Sequence, residues 1–224
     1  MFGKLTGNGD FLPSALRWLR RRGEAQQDEA VADPPEDGAT AAEPVALPLA
    51  EPPPRAEDVP ELRALVEANR GDARPRWQLG MALVAARKLN LALAHLEVAA
   101  SQDPSLDEGE LAEVRELQRA ERLVRRYPRD SELRLALGRL YLGLDQGDAA
   151  LAELEEAARL RPDLAPAHTL LGFEYAYRGR IGRAREHWGR ARDLDPADEM
   201  SRTGLEAIQD GRDPLRAIWQ AAAT

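Results

Sequence analysis

Residues Ala165 to Asp198 read APAHTLLGFEYAYRGRIGRAREHWGRARDLDPAD, and the placement of seven side chains in this stretch decides the fold. Leu171-Gly172, Tyr175, Ala184, Trp188, Ala191 and Pro196 are laid over two amphipathic halves, the pattern of a helical hairpin. Thirty-four residues earlier stand Leu137-Gly138, Tyr141, Ala150, Leu154, Ala157 and Pro162. A further 58 residues back stand Leu79-Gly80, Leu83, Ala92, Leu96, Ala99 and Pro104, one repeat length plus an excess of 24. Small, large and helix-ending residues that keep phase through three copies mark an internal repeat.

The repeat has a physical reading. A small residue on the first helix (Gly80, Gly138, Gly172) and another on the second (Ala92, Ala150, Ala184) let the helices approach, while large side chains fill the grooves beside them. Ala99, Ala157 and Ala191 lie late on the second helix, where the next unit must pack, and Pro104, Pro162 and Pro196 end it for want of a backbone donor. One hairpin cannot bury its own apolar faces, so the units must stack.

The 34-residue spacing and these landmarks resemble the tetratricopeptide repeat (TPR), over Ala73 to Leu106 and Ser131 to Asp198. The resemblance implies an all-α solenoid of stacked helical hairpins forming a right-handed superhelix. Two departures from the family pattern stand out: Trp77 sits one place late, and the turn glycine present as Gly179 is replaced by Arg87 and Asp145.

The rest of the chain is organised around these units. Pro60 to Arg70 is predicted to be a half-unit capping the stack, with Leu62, Leu65 and Val66 on one face. The excess, 107–130, reads as one longer helix with Leu111, Val114, Leu117, Ala120, Val124 and Tyr127 inward. It is either a unit reduced to one helix or a break in the superhelix. Its outward side carries Arg115, Arg119, Arg122, Arg125 and Arg126, a solvated face or a patch for an acidic partner. Repeats at 131–164 and 165–198 follow, then capping helices over 199–222. The first of these offers Met200, Leu205 and Ile208, and the second begins at Asp213-Pro214 and carries Trp219. The repeat domain thus spans 59–224.

Two stretches precede it. Residues 1–23 sum to +4 and hold a short amphipathic helix, with Phe11, Leu12, Leu16, Trp18 and Leu19 on one arc and Arg17, Arg20 and Arg21 opposite. Such a helix needs a surface, and three are on offer: an anionic membrane interface, a groove on a partner protein, or the concave face of its own repeats. Residues 24–58 carry ten acidic residues against Arg55 alone, interleaved with alanine and proline, and are predicted to be a disordered, self-repelling linker.

Composition narrows the function. A net charge of -8 over 224 residues argues against a nucleic-acid binder, and the absence of cysteine excludes disulfides and thiolate sites, in keeping with a cytoplasmic protein. No apolar run approaches the ~20 residues of a membrane span, and the start does not read as a secretory signal, so any membrane contact is peripheral. His95, His168 and His187 have no metal-ligand spacing, and no nucleophile, base and orienter can be assembled. The sequence therefore predicts no enzyme, no cofactor and no metal.

Binding remains. By resemblance, the first helices line a concave groove, here formed by Arg74, Trp77, Gln78, Met81, Val84, Glu132, Leu135, Arg139, Leu142, Thr169, Leu170, Phe173 and Tyr177. The set is mostly apolar and lacks the basic and asparagine clamp that some members use for a C-terminal carboxylate. It suits an amphipathic helix or extended apolar peptide, with Trp77, Arg139, Phe173 and Tyr177 as anchors. The expected function is a protein-protein interaction adaptor or scaffold with a tethered docking segment. The alternatives are a membrane-peripheral assembly factor recruited by residues 1–23 and a binding module autoinhibited by them. The sequence names neither the partner nor the oligomeric state.

Overall fold

The computed structural model describes residues 54–107 and 109–222. The amphipathic segment with Phe11, Leu12, Leu16, Trp18 and Leu19, and residues 24–53 of the linker, lie outside the described residues. The described residues form ten α-helices and no strand: α1 (Val59–Ala68), α2 (Ala73–Ala85), α3 (Leu89–Gln102), α4 (Glu110–Arg126), α5 (Ser131–Gly143), α6 (Gly147–Leu160), α7 (Ala165–Tyr177), α8 (Ile181–Leu194), α9 (Glu199–Gln209) and α10 (Pro214–Ala222). The last four residues assigned to the linker are not free chain. Ala56–Asp58 is a 3-10 turn, closed where the Asp58 carboxylate accepts the Arg55 amide at 2.6 Å.

Local chemistry sets the helix ends. Asp72 accepts from the amide of Arg74, Asp130 from those of Glu132 and Leu133, and Asp213 from that of Leu215, each satisfying donors that a first turn leaves open. The second helices of the three repeats stop at Gln102, Leu160 and Leu194, two residues before Pro104, Pro162 and Pro196. Proline disfavours a helical residue before it and cannot itself continue the ladder.

Contacts divide the described chain into two compact units, one ending at Val114 and the other beginning at Arg115. In the first unit, α2 and α3 form a hairpin and α1 packs on α2. Val59 and Leu62 are buried and Val66 is half-buried, whereas Leu65, expected inward, is 47% exposed. The 3.6-residue turn puts Leu65 about 90° round the helix from the stripe the other three share.

In the second unit, α5 pairs with α6, α7 with α8 and α9 with α10, while α6 meets α7, α8 meets α9, and both α9 and α10 reach α7. All three repeats close as the small-large pattern requires. A Cβ at Gly80 would stand 2.6 Å from Leu96, one at Gly138 would stand 2.8 Å from Leu154, and one at Gly172 would overlap Trp188. These are separations that real Cβ atoms do not show, so the glycines set the spacing of the helices.

The excess at 107–130 forms one helix, α4, as expected. The Tyr141 hydroxyl donates to the Glu121 carboxylate on α4 at 2.7 Å, and the Tyr175 hydroxyl bonds Glu155 on α6, the same pair 34 residues on. This Tyr–Glu bond thus links α4 to α5 and recurs between α6 and α7. Leu111, Val114, Leu117, Ala120 and Val124 are buried as expected. Tyr127 is not: α4 ends at Arg126, and the ring is 45% exposed beneath the Arg126 guanidinium, 5.6 Å from its centroid.

Helix α9 also turns a different face inward. Ser201, Gly204 and Ala207 are buried, whereas Met200, Leu205 and Ile208 are half-exposed. Trp188, fully buried on α8, fills the space that larger α9 side chains would need, and a Cβ on Gly204 would come within 2.6 Å of its ring. On α10, Pro214, Ala217 and Ile218 are buried, and Trp219 is half-exposed.

Candidate functional site

In the unit ending at Val114, the first helix of the repeat presents a short accessible face. Trp77, Gln78 and Met81 are half-exposed and Arg74 is exposed. Residues 74, 77, 78 and 81 follow the i, i+3, i+4, i+7 spacing of one helical face. Val84 belongs to the hairpin core and offers nothing to a ligand.

The second unit differs from the expected trough. Leu135 and Leu142 on α5 are buried, as are Thr169, Leu170 and Phe173 on α7. The ten residues from Ala167 to Ala176 are all buried, so α7 is enclosed on every side. The cause is the chain itself, since α9 and α10 join α6 and α8 in packing on α7. The Thr169 hydroxyl is engaged as well, donating to Asp198 at 2.6 Å, a carboxylate shared with Ser201. Tyr177, at the end of α7, keeps an exposed ring.

What stays open is a cavity of about 380 Å³ lined by Glu132, Leu135, Arg139, Arg161, Leu164 and Pro166, among others. Arg161 pairs with Glu132 across it. Burial lowers the pKa of the Arg139 guanidinium, and the Glu132 charge opposes that shift. The accessible lining is mostly polar and holds a partly desolvated cation, which suits a polar or amphipathic side chain better than a purely apolar one.

A second cavity, of about 350 Å³, is lined by Glu155, Leu171, Tyr175, Arg183, Glu186 and His187. Here the structure brings together two of the histidines scattered in the sequence. His168 and His187 stack with centroids 5.3 Å apart, and His187 also stacks on Tyr175 at 5.4 Å. The Tyr175 hydroxyl bonds Glu155 and accepts from Arg183 at 3.0 Å. Its pKa is raised, first by burial and then by the Glu155 carboxylate. The third histidine, His95 on α3, has its pKa lowered by burial and by the nearby charges of Arg76 and Arg63. Spacing concealed the His168–His187 pair, because its members lie 19 residues apart on different helices. The 34-residue recurrence of Tyr141/Glu121 as Tyr175/Glu155 was the available signal for the rest of the cluster. Among the described residues, no three His, Asp or Glu side chains are placed to hold a metal ion, and no helix is long and apolar enough to cross a membrane.

No family model matches the chain, and no curated protein matches it. Among solved structures it is similar to YrrB, a TPR protein with an unusual peptide-binding site, at 20% identity and a TM-score of 0.41, over 72% of this chain and 90% of that one. It is also similar to TTC0263, a thermophilic TPR protein of Thermus thermophilus, at 24% identity and a TM-score of 0.42, over 67% and 89%. MamA 41-end from Desulfovibrio magneticus RS-1 aligns at 16% identity and a TM-score of 0.35, over 87% and 99%. The fold follows from the hairpins themselves: with glycine against leucine or tryptophan at one register in three repeats, this is a tetratricopeptide-repeat protein in fold.

Proposed function

We propose that the chain is a non-catalytic interaction adaptor of the cytoplasm, which takes a peptide or helix of another protein on the first-helix face of its repeats and carries residues 1–23 as a tethered docking segment. The observation that supports this reading is the accessible Trp77, Gln78 and Met81 set on one face of α2. A large aromatic ring and a thioether left half-exposed together are the usual material of a binding hot spot. In the second unit, the cavity at Leu135 and Arg139 and the exposed ring of Tyr177 are the corresponding contact points, with Leu142, Thr169 and Phe173 serving the core.

Peptides selected on the full chain from a displayed random library test this reading. Their affinity should fall ~30-fold or more in the Trp77→Ala/Met81→Ala variant, as truncation of an aromatic hot spot costs about 2 kcal/mol or more. Selected peptides that bind the variant as well as the parent would remove the first-helix face from consideration.

A further inference from the structure

We propose that the chain's own acidic stretch, residues 24–53, lies along the arginine face of α4. Arg115, Arg119, Arg122 and Arg126 recur at spacings of four, three and four, a single stripe on the helix, and all four are exposed. Glu116 is the one exposed acid on the helix. Glu121 is turned aside, bonded to Tyr141 and to Arg125 at 3.0 Å.

Several arginines of the repeats that follow have a carboxylate. Arg134 meets Glu153 at 2.7 Å, Arg159 meets Glu156 at 2.6 Å, Arg161 meets Glu132, and Arg178 meets Glu174 and Asp148. Arg119, Arg122 and Arg126 have none within salt-bridge distance among the described residues; Arg122 bonds the Gln118 amide and Arg126 covers Tyr127. Nor does the repeat require this charge. One unit later the same four positions hold Ala149, Glu153, Glu156 and Leu160. Like charges one turn apart repel, so the stripe favours an anionic cover.

The complementary charge is in the chain. Residues 24–53 contain eight acids (Glu24, Asp28, Glu29, Asp33, Glu36, Asp37, Glu43 and Glu51) and no lysine or arginine. At about 3.3 Å per extended residue these 30 positions reach ~100 Å, against ~16 Å for the stripe from Arg115 to Arg126. Seated on it, the stretch would relieve the repulsion of both partners. Single exposed ion pairs contribute little and are screened by salt, so the contact is a multivalent, salt-labile one. It would hold residues 1–23 near α4 and oblige any external acidic ligand of that face to displace the linker first.

The full chain can be tested directly, because it has no cysteine. A spin label at Ala42→Cys should broaden the amide resonances of 115–126 at ~20 mM salt, where charges are poorly screened. The broadening should vanish near 1 M salt and in Arg119→Glu/Arg122→Glu/Arg126→Glu, whose exposed substitutions leave the helix intact. It should return when that variant also carries Glu36→Lys, Asp37→Lys and Glu43→Lys. Absence of broadening at low salt overturns the proposal, as does broadening centred on another helix. Equal broadening with label and isotope on separate molecules also overturns it, by making the occupant a second copy.

Discussion

The Nδ1 atoms of His168 and His187 face each other at 3.0 Å, and only one of them can carry a proton. His168 Nε2 lies 3.1 Å from the Pro162 carbonyl, which only accepts, so His168 is protonated on Nε2 and its Nδ1 accepts from His187 Nδ1–H. Burial lowers the pKa of both rings. For His168, the Pro162 carbonyl and Glu186 oppose this and Arg190 adds to it; for His187, the His168 ring and Arg183 add to it while Glu186 and Glu155 oppose it. A histidine whose folded pKa is depressed leaves stability intact above its unfolded value of about 6.5 and removes it as pH falls from there to the folded pKa. The melting temperature should therefore drop between pH 7.5 and 5.5, and part of that drop should disappear in His168→Asn/His187→Gln, His95 supplying what remains. Nitrogen-15 spectra should assign the Nε2–H tautomer to His168 and the Nδ1–H tautomer to His187. The reverse assignment would refute the geometry.

Trp188 and Gly204 form a size-compensated pair. The indole is fully buried, its Nε1–H donates to the Thr169 carbonyl at 3.1 Å, and glycines stand against it from α7 and α9. One unit back, the same two positions hold Leu154 and Leu170. Gly204→Leu should cost about 1–3 kcal/mol by overpacking, and Trp188→Leu about 3 kcal/mol or more from lost volume. The double substitution should cost clearly less than the sum of the two. Denaturant unfolding of all four proteins checks this, and simple additivity would mean that the two sites do not share one space.

The internal repeat made the hairpins readable because its landmarks are local: a glycine faces the residue sixteen places on, within one hairpin, and nothing distant can change that. What a neighbouring element does to a face was not readable. Phe173 and Thr169 look like groove residues when each repeat is taken alone, yet α7 is enclosed by four helices, including α10, whose return onto α7 no repeat pattern encodes. Tyr127 and Leu65 failed for a smaller reason, a helix end and a stripe offset that apolarity alone does not place. Gly204 was overlooked because its partner, Trp188, belongs to the preceding unit.

The turns inside the hairpins carry strain in two of three repeats. Arg87 and Asp145 have φ of 58° and 57°, the left-handed conformation that Gly179 adopts at 68° in the third. Each turn demands it, since the next amide must reach back five residues: Lys88 to Leu83, Gln146 to Tyr141 and Arg180 to Tyr175, at 2.8 to 2.9 Å. A side chain in this region costs about 1–2 kcal/mol, less for aspartate, and glycine returns part of that as chain entropy. Arg87→Gly should stabilise the protein by about 0.5–1 kcal/mol and Asp145→Gly by somewhat less, or about 1–4 °C in melting temperature. Gly179→Arg should move it the other way.

Glu174 is 1% exposed, and its carboxylate receives Arg178 through Nε at 3.1 Å and Nη2 at 3.0 Å, while Nη1 of the same arginine holds Asp148 on α6 at 2.6 Å. The corresponding positions of the other repeats, Leu140 and Ala82, are apolar, so this buried charge joins one unit to the next without being part of the repeat. Removing either partner strands the other. Arg178→Met should cost about 3–5 kcal/mol because a buried carboxylate is left unneutralised, and Glu174→Gln should cost less because the amide keeps one acceptor for the guanidinium. The Glu174→Met/Arg178→Met double substitution should recover most of the loss, since an apolar pair of similar volume needs no desolvation. Calorimetry of the three variants separates a pair that specifies the junction from one that stabilises it: a double variant no more stable than Arg178→Met would show the ion pair to be a net source of stability.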